Sequence, residues 1–412
     1  MNIVVLSCMG HDSSATFLIK GKHYKTVIEE RLTGLKRDEL LFSVFDHVRE
    51  FDEKYGIDKV LSICGDGYDH DYLIDVLEKY DLKDRYFDIE LILELKNEHH
   101  LYHAASGFYS SGLDEAVCLV MDGWGADVRL SVIMEIAGVN DQLSKDEIER
   151  AKELNTLRFL ETTSIYDVSY PSNFEVLYKN FLRPHPAPEM YLENSNFPYK
   201  ILKLIEQCST IDINSCYDVG MLYGLISGHL FGDNEDCGKV MGLSSYGKPN
   251  KRLPKFIIEN GYVDMNLAFS EMCVNTINFP SMIHNDDFQY RADIAYKVQK
   301  HTEDIFRMKV KQILKLKPDV KNVILSGGCA LNICANSILQ EEFTDINFYI
   351  DPIATDACQS YGAAKYFYHR GTGSMNKEPA LSTFYGNHQP NSRILKKQIE
   401  FEVAKHIAKH NK

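Results

Sequence analysis

No Cys-x-x-Cys pair and no regular cysteine spacing occur in this chain, whose ten cysteines are scattered. That excludes a disulfide framework and a thiolate zinc site, and it fits reduced thiols in a cytoplasmic protein. No apolar run is long enough to span a bilayer. The start, Met1-Asn2-Ile3-Val4-Val5-Leu6-Ser7-Cys8, is apolar but short, lacks a basic flank and runs directly into Gly10-His11-Asp12, so it reads as a first strand rather than a leader. A basic excess is also missing: 45 Lys and Arg against 59 Asp and Glu give a net charge of −14, which argues against a protein that coats nucleic acid. Local basic clusters, Lys248, Lys251, Arg252 and Lys255 and then Lys309, Lys311, Lys315, Lys317 and Lys321, read as solvated faces. Short tandem repeats and low-complexity segments are absent. With 412 residues and 44% hydrophobic content, two or three domains with sizeable cores are expected.

Against these absences stands a histidine pair, His99 and His103, in the run Asn97-Glu98-His99-His100-Leu101-Tyr102-His103-Ala104-Ala105-Ser106. On a helix, a spacing of four puts both imidazoles on one face, one turn apart, where they are placed to grip a single ion. Isolated pairs of this kind are more often packed or surface residues than ligands, so further ligands are needed. Asp122 ends the strand-like run Ala116 to Met121 and opens the turn Asp122-Gly123-Trp124-Gly125. Asp356 lies in Asp351-Pro352-Ile353-Ala354-Thr355-Asp356-Ala357, between another strand and a helix rich in small residues. Carboxylates at strand exits are where α/β folds place chemistry. Two His and two Asp make a mixed nitrogen and oxygen set suited to iron(II), manganese or zinc.

Two segments open alike and suggest a duplicated core. Ile3 to Leu6 leads through Gly10-His11-Asp12-Ser13-Ser14 to Ala15–Ile19 and then to the strand Tyr24 to Glu29. Ala116 to Met121 leads through Asp122-Gly123-Trp124-Gly125 to the alternating run Val128 to Met134, also expected as a strand. A third glycine turn, Ser326-Gly327-Gly328-Cys329-Ala330-Leu331-Asn332, follows the buried-strand pattern Asn322 to Leu325. Glycine there lets backbone approach a ligand, and the following helix start faces its phosphate or ribose. The three turns, in this order, match the two phosphate loops and the adenosine loop of actin-like ATP-binding proteins. The fold class expected is therefore α/β, an actin-like ATPase fold of duplicated RNase H-like domains with mixed sheets flanked by helices. A long helix from Ala292 to Leu316 carries an apolar stripe of Ile294, Val298, Ile305, Phe306, Val310 and Ile313, and Pro318 closes it. The domain division expected is 1–113 for the first subdomain, 114–370 for the second, with a less regular insertion around 140–216 that shapes an acceptor pocket, and 371–412 for a linker and helical stub.

With these residues in hand, the chain resembles the O-carbamoyltransferases of nodulation-factor and antibiotic tailoring. The carriers are Gly10-His11-Asp12-Ser13-Ser14-Ala15, Glu29-Glu30-Arg31 followed by Lys36, His99-His100-Leu101-Tyr102-His103-Ala104, Val120-Met121-Asp122-Gly123, Gly238-Lys239-Val240-Met241-Gly242-Leu243-Ser244-Ser245-Tyr246-Gly247, Ser326 to Asn332, and Asp356 to Ala364. The family's N-terminal part is similar to the metal-containing subunit that transfers threonylcarbamoyl groups to tRNA. The resemblance implies that His99, His103, Asp122 and Asp356 hold an iron-like divalent ion. It also implies a carbamoyl-adenylate, made from carbamoyl phosphate and ATP, whose carbamoyl group passes to a hydroxyl with release of AMP.

Roles for the remaining residues follow. His11 is placed as base toward the acceptor hydroxyl, since a neutral imidazole near pH 7 suits that task, with Asp12 to orient it; a turn in which Asp12 only caps backbone amides is the equal alternative. Lys36 matches the family lysine near the adenylate phosphate. Lys239 and Gly242, with Gly327, Gly328 and Asn332, are the expected nucleotide contacts. Two departures stand out. Gly34 replaces the family's second arginine three residues after Arg31. The chain also stops soon after Phe384-Tyr385-Gly386, where family members enter a domain of the threonylcarbamoyl-adenylate-synthase type that makes the adenylate. The transfer half alone is thus expected, with either a separate adenylate-forming subunit as partner, docked through Arg393 to Lys412, or a simplified chemistry. The acceptor expected is a small-molecule hydroxyl. A hydroxymethylated base in DNA offers the same alcohol chemistry, although the acidic charge leans against it. An actin-like sugar or acid kinase is the rival enzyme, disfavoured by a first turn that reads His11-Asp12-Ser13-Ser14. A non-catalytic nucleotide-binding subunit is the rival without chemistry.

Overall fold

The computed structural model describes residues 1–8, 12–35, 41–64, 70–88, 98–123, 125–153, 158–182, 196–214, 218–234, 236–251, 253 and 287–379. The chain divides into two units: Met1–Leu113 with Tyr170–Ser172 and Pro352–Lys412, and Asp114–Ser169 with Asn173–Asp351.

In the first unit the strands β1 (Asn2–Cys8), β2 (Ser14–Ile19), β3 (Lys22–Ile28), β4 (Lys59–Cys64) and β5 (Tyr86–Asp88) form one sheet in the order β3-β2-β1-β4-β5. β1 is central because Ile3, Val4, Val5 and Leu6 are all buried, which only a strand covered on both faces allows. It pairs antiparallel with β2 and parallel with β4, whereas the edge strand β3 is largely half-exposed. The helices α1 (Glu29–Thr33), α2 (Phe42–Tyr55), α3 (His70–Lys79) and α4 (His99–Ser111) follow in sequence. α2 sets Val44, Phe45, Val48 and Phe51 into a core shared with Val4, Leu6, Phe17 and Val60; each such side chain contributes roughly 1.5–3 kcal/mol of apolar burial. Glu29 is the cap for α2 from a distance. Its two carboxylate oxygens accept from Ser43 N and Val44 N, both at 2.8 Å, so a fully buried acid satisfies the open end of the next helix.

The second unit builds the same order again. β6 (Glu115–Met121) is its central strand, antiparallel to β8 (Arg158–Ser169) and parallel to β11 (Asn322–Ser326). β9 (Asn173–Leu182) lies beyond β8, and β12 (Asn347–Ile350) beyond β11. Two further strands extend this plan, β7 (Asp127–Arg129) beside β8 and β10 (Ile211–Asn214) beside β9. The helices are α5 (Leu130–Ile136), α6 (Lys145–Glu153), α7 (Asn196–Ile205), α8 (Val219–Phe231), α9 (Cys237–Ser244), α10 (Phe288–Leu316) and α11 (Ile333–Glu342). After Pro352 the chain re-enters the first unit through a 3-10 turn, Asp356–Cys358, and α12 (Gln359–Thr372).

Three expectations meet a different arrangement. Val128 to Met134 is a strand only to Arg129; Leu130, Ile133 and Met134, at helical spacing, are buried together against Phe159 and Ile201, so burial of a helical stripe prevails over the alternation. The stretch 140–216 is not a loose insertion, because β8, β9 and β10 within it are strands of the main sheet. And residues 352–370, placed by sequence in the second subdomain, belong to the first unit, where Gly362 packs so closely on α4 that an added Cβ would lie 1.9 Å from Tyr102 O. The stub Arg393 to Lys412 lies outside the described residues. Among the described residues, no helix is long and apolar enough to cross a membrane.

Candidate metal centre

α4 is buried on every side: each residue from His99 to Ser110 is enclosed. A helix with no wet face belongs to a core, and this removes the reading of His99 and His103 as a solvated surface pair. Gly112 in the left-handed conformation (φ 72) ends the helix. At its other end the imidazoles of His99 and His103 turn toward Asp356. His103 Nε2 lies 3.2 Å from His99 Nε2 and 3.2 Å from Asp356 Oδ1, and His99 Nε2 lies 3.4 Å from the same oxygen.

Such distances test the fit to a metal directly. Donors bound at about 2.1 Å to one ion stand roughly 3.0 Å apart in cis octahedral positions and about 3.4 Å apart in tetrahedral ones. The three separations fall inside that interval, and the set of two imidazole nitrogens and one carboxylate oxygen suits iron(II), manganese or zinc. His99, His103 and Asp356 therefore form a His/Asp group with metal-ligand geometry within the first unit.

Asp356 is held there by hydroxyls. Ser14 Oγ donates to Ala357 O at 3.2 Å and lies 2.8 Å from Ser360 Oγ, which in turn lies 2.9 Å from Thr16 Oγ1. All three hydroxyl residues are buried, so β2 and the start of α12 are pinned together by bonds with no competing water. Farther along, Thr16 meets Thr26 at 2.8 Å and Thr26 meets His23 Nε2 at 2.9 Å. Burial, followed by the charge of Lys365, pushes His23 down to about 4.

Asp122 belongs to the second unit, at the exit of β6. Its Oδ1 accepts from Gly123 N at 2.8 Å and from Gly328 N at 3.1 Å. Gly327, at φ 84, crosses directly over β6, and a Cβ there would lie 2.4 Å from Met121 O, so only glycine fits. The parallel strands β6 and β11 thus end side by side with a carboxylate and two glycines, as α/β folds arrange ligand sites. Asn332 caps α11 through Ala335 N at 3.0 Å and also accepts from Gln299 Nε2 at 3.0 Å. Lys239 is exposed on α9 and pairs with Asp236, while a Cβ at Gly242 would meet open space. Asp12 occupies the left-handed region at φ 56. His11 and Lys36 lie outside the described residues.

Sequence reasoning passed over several buried polar groups. Asp218 caps α8 at Val219 N (2.7 Å) and accepts from Thr162 (3.3 Å) and Thr163, with Asn180 Nδ2 donating to Thr162 Oγ1 at 2.8 Å. Burial holds His301 down at about 4, against an opposing pull from Asp218. Cys358 was missed as well; its Sγ lies 3.3 Å from His103 Nδ1. The signal for these was an isolated polar residue inside an apolar pattern, as at Asp218 before Val219-Gly220-Met221-Leu222.

Comparison with known proteins places these features. The HypF structure from T. kodakarensis is similar over 90% of this chain and 48% of its own, with 13% identity and a TM-score of 0.50, a likeness of fold. The activator of 2-hydroxyisocaproyl-CoA dehydratase from Clostridium difficile is similar at a TM-score of 0.43 and 12% identity, over 93% of this chain and 100% of its own. The fold is the actin-like ATPase fold, two mixed sheets of shared order flanked by helices. Among curated proteins, the uncharacterized protein sll1178 of Synechocystis sp. is 25% identical over 294 residues, 67% of this chain. The matched part spans only 37% of that relative's length. The family model described as carbamoyltransferase N-terminus matches residues 59–365, a span that contains both histidines and both aspartates. By that match, which covers more than half of the chain and all of the second unit, the chain belongs to the carbamoyltransferase N-terminus family.

Proposed function

We propose that this chain transfers a carbamoyl group from carbamoyl-adenylate, formed from carbamoyl phosphate and ATP, to an acceptor hydroxyl. The observation that carries this reading is the meeting of the buried His99 and His103 with the half-buried Asp356 in a chain of the carbamoyltransferase N-terminus family. These three residues would hold an iron-like divalent ion, and Asp122, from the second unit, would supply the fourth ligand. When bound, such an ion supplies Lewis-acid polarisation of carbonyl or phosphate oxygens.

The chain's own groups do the rest. In the transfer, the bond from the carbamoyl carbon to a phosphate oxygen breaks, a bond to the acceptor oxygen forms, and AMP leaves. The acceptor proton goes to His11, with Asp12 orienting the ring, and Lys36 offsets charge on the departing phosphate. Gly327, Gly328 and Asn332, with Lys239 and Gly242, would contact the nucleotide. A small-molecule alcohol is the acceptor class favoured by the acidic charge, with a hydroxymethylated DNA base as the polymeric alternative.

The test is to incubate the purified chain with carbamoyl phosphate, ATP and a panel of alcohols, with and without an adenylate-forming partner, and to read products by mass spectrometry. One added carbamoyl unit with AMP released, lost in His103→Ala, is the expected result. ADP with a phosphorylated acceptor would replace this reading with a kinase, and nucleotide binding with no product under any donor condition would replace it with a binding subunit.

A further inference from the structure

His103 is held from both sides of its ring, and the two sides differ in kind. Nε2 faces His99 and Asp356, while Nδ1 faces the Cys358 sulfur at 3.3 Å. Both His103 and Cys358 are fully enclosed. The cysteine sits in the same 3-10 turn as Asp356, its own N–H donating to Thr355 O at 2.9 Å, and the serine contacts at Ala357 and Ser360 fix that turn to β2. Gly362, against Tyr102 O and Ser106 N, fixes the helix that follows. The sulfur and the ring therefore meet through two rigid elements.

We propose that Cys358 is a positioning residue that sets the tautomer of His103 and thereby the metal affinity of the centre. The proposal rests on the reading of His99, His103 and Asp356 as metal ligands. A neutral imidazole carries one N–H. With that hydrogen on Nε2, the ring donates to Asp356 and has no lone pair for an ion. With it on Nδ1, the ring donates to Cys358 Sγ and Nε2 presents its lone pair to the place where the three donors converge. A thiol serves both states, donating S–H to a bare Nδ1 or accepting from Nδ1–H. Metal-bound histidines ordinarily give their second N–H to a carboxylate or a backbone carbonyl, which makes the ring more basic. Sulfur is a weaker acceptor, so this centre holds its ion less tightly than one backed by a carboxylate, and exchange is correspondingly easier.

The experiment uses the full chain, stripped of metal by a chelator and titrated with Co(II) against a competing chelator, with the visible absorption of the bound ion as readout. Cys358→Ala is expected to weaken Co(II) binding about tenfold, the low end for loss of such a partner, and Cys358→Ser, whose hydroxyl keeps a donor and an acceptor, to restore most of it. A role in packing alone predicts equal losses in Ala and Ser, because both remove the sulfur volume; that result overturns the proposal. Equal affinity in Ala and the parent chain also overturns it while leaving the metal centre standing. Failure of the parent chain to bind Co(II) removes the metal reading itself, and this inference with it. Should Cys358→Ala not fold, as judged by circular dichroism, Cys358→Val refills the volume without a polar atom and gives the same comparison with Ser.

Discussion

The two units share one plan and spend it differently. Each has a central apolar strand with an antiparallel neighbour on one side and a parallel neighbour on the other. In the first unit the candidate side chains sit on or beside helices: His99 and His103, both buried, on α4, and the half-buried Asp356 in the turn before α12. In the second they sit at strand exits, with Asp122 after β6 and Gly327-Gly328 after β11. A helix fixes two imidazoles one turn apart on one face, whereas at the strand exits the N–H groups of Gly123 and Gly328 converge on the Asp122 carboxylate. One duplicated topology thus presents its polar groups in two different ways.

The sharpest way to break this comparison is to remove a ring from the first unit. His103→Ala should leave no bound metal by elemental analysis and reduce carbamoyl transfer by about a thousandfold or more, the scale of several kcal/mol of lost polarisation. ATP binding through the second unit should persist in calorimetry; full transfer in this variant would remove the metal centre from the chemistry.

Next come the close backbone approaches, one in each unit. Gly362→Ala drives a Cβ into Tyr102 O, and Gly327→Ala drives one into Met121 O in a conformation that L-residues avoid. Each should cost about 3 kcal/mol in urea unfolding. Gly362→Ala should also weaken Co(II) binding by displacing α12 from α4.

Acid should act on both units through buried histidines. His301 in the second unit and His23 in the first each fall from 6.5 to about 4 in the folded chain because burial disfavours the imidazolium. A folded-state value below the unfolded one means that stability is complete above pH 6.5 and is lost as pH falls from there toward 4, while the unfolded chain binds the proton. For His301, 5% exposed, the loss is on the order of 3 kcal/mol. Denaturation midpoints between pH 7 and 4 should fall steeply in the parent chain and less so in His301→Gln; parallel curves would show that His301 is not the group responsible.

The smallest effect is expected at Lys239, whose pairing with Asp236 is exposed. Lys239→Ala should change stability by less than about 0.5 kcal/mol. ATP affinity in calorimetry should nevertheless weaken, and an unchanged value would reduce Lys239 to a surface ion pair.

Much of this was legible in the chain because periodicity and punctuation write it there. The β1 and β6 runs announce central strands, their polar turns announce duplication, and the spacing of His99 and His103 announces a shared helix face. Asp356 showed itself by its place between a strand and a small-residue helix. What stayed hidden depends on contacts across long separations. The meeting of Cys358 with His103 spans 255 residues, and no local pattern encodes it. Val128 to Met134 alternates well enough for a strand until the core that Leu130, Ile133 and Met134 pack on is known. The stretch 140–216 looks irregular because prolines such as Pro171 and scattered aromatics break its pattern, and β8 and β9 within it carry polar side chains, Glu161, Thr163, Lys179 and Asn180, that the fold buries and pairs.

The return of the chain at Pro352 also governs the order in which the protein is made. α12 packs beside α4, yet almost the entire second unit is synthesised between them. The nascent first unit leaves the ribosome with Ser14, His99 and His103 but without Asp356, Cys358 or Ser360. Closing a loop of this length slows assembly, because the ordering cost precedes the contacts that offset it. A pair of histidines alone grips a divalent ion weakly, so on the proposed metal reading capture would wait until α12 has docked. Loading of the centre would then be a late step in maturation.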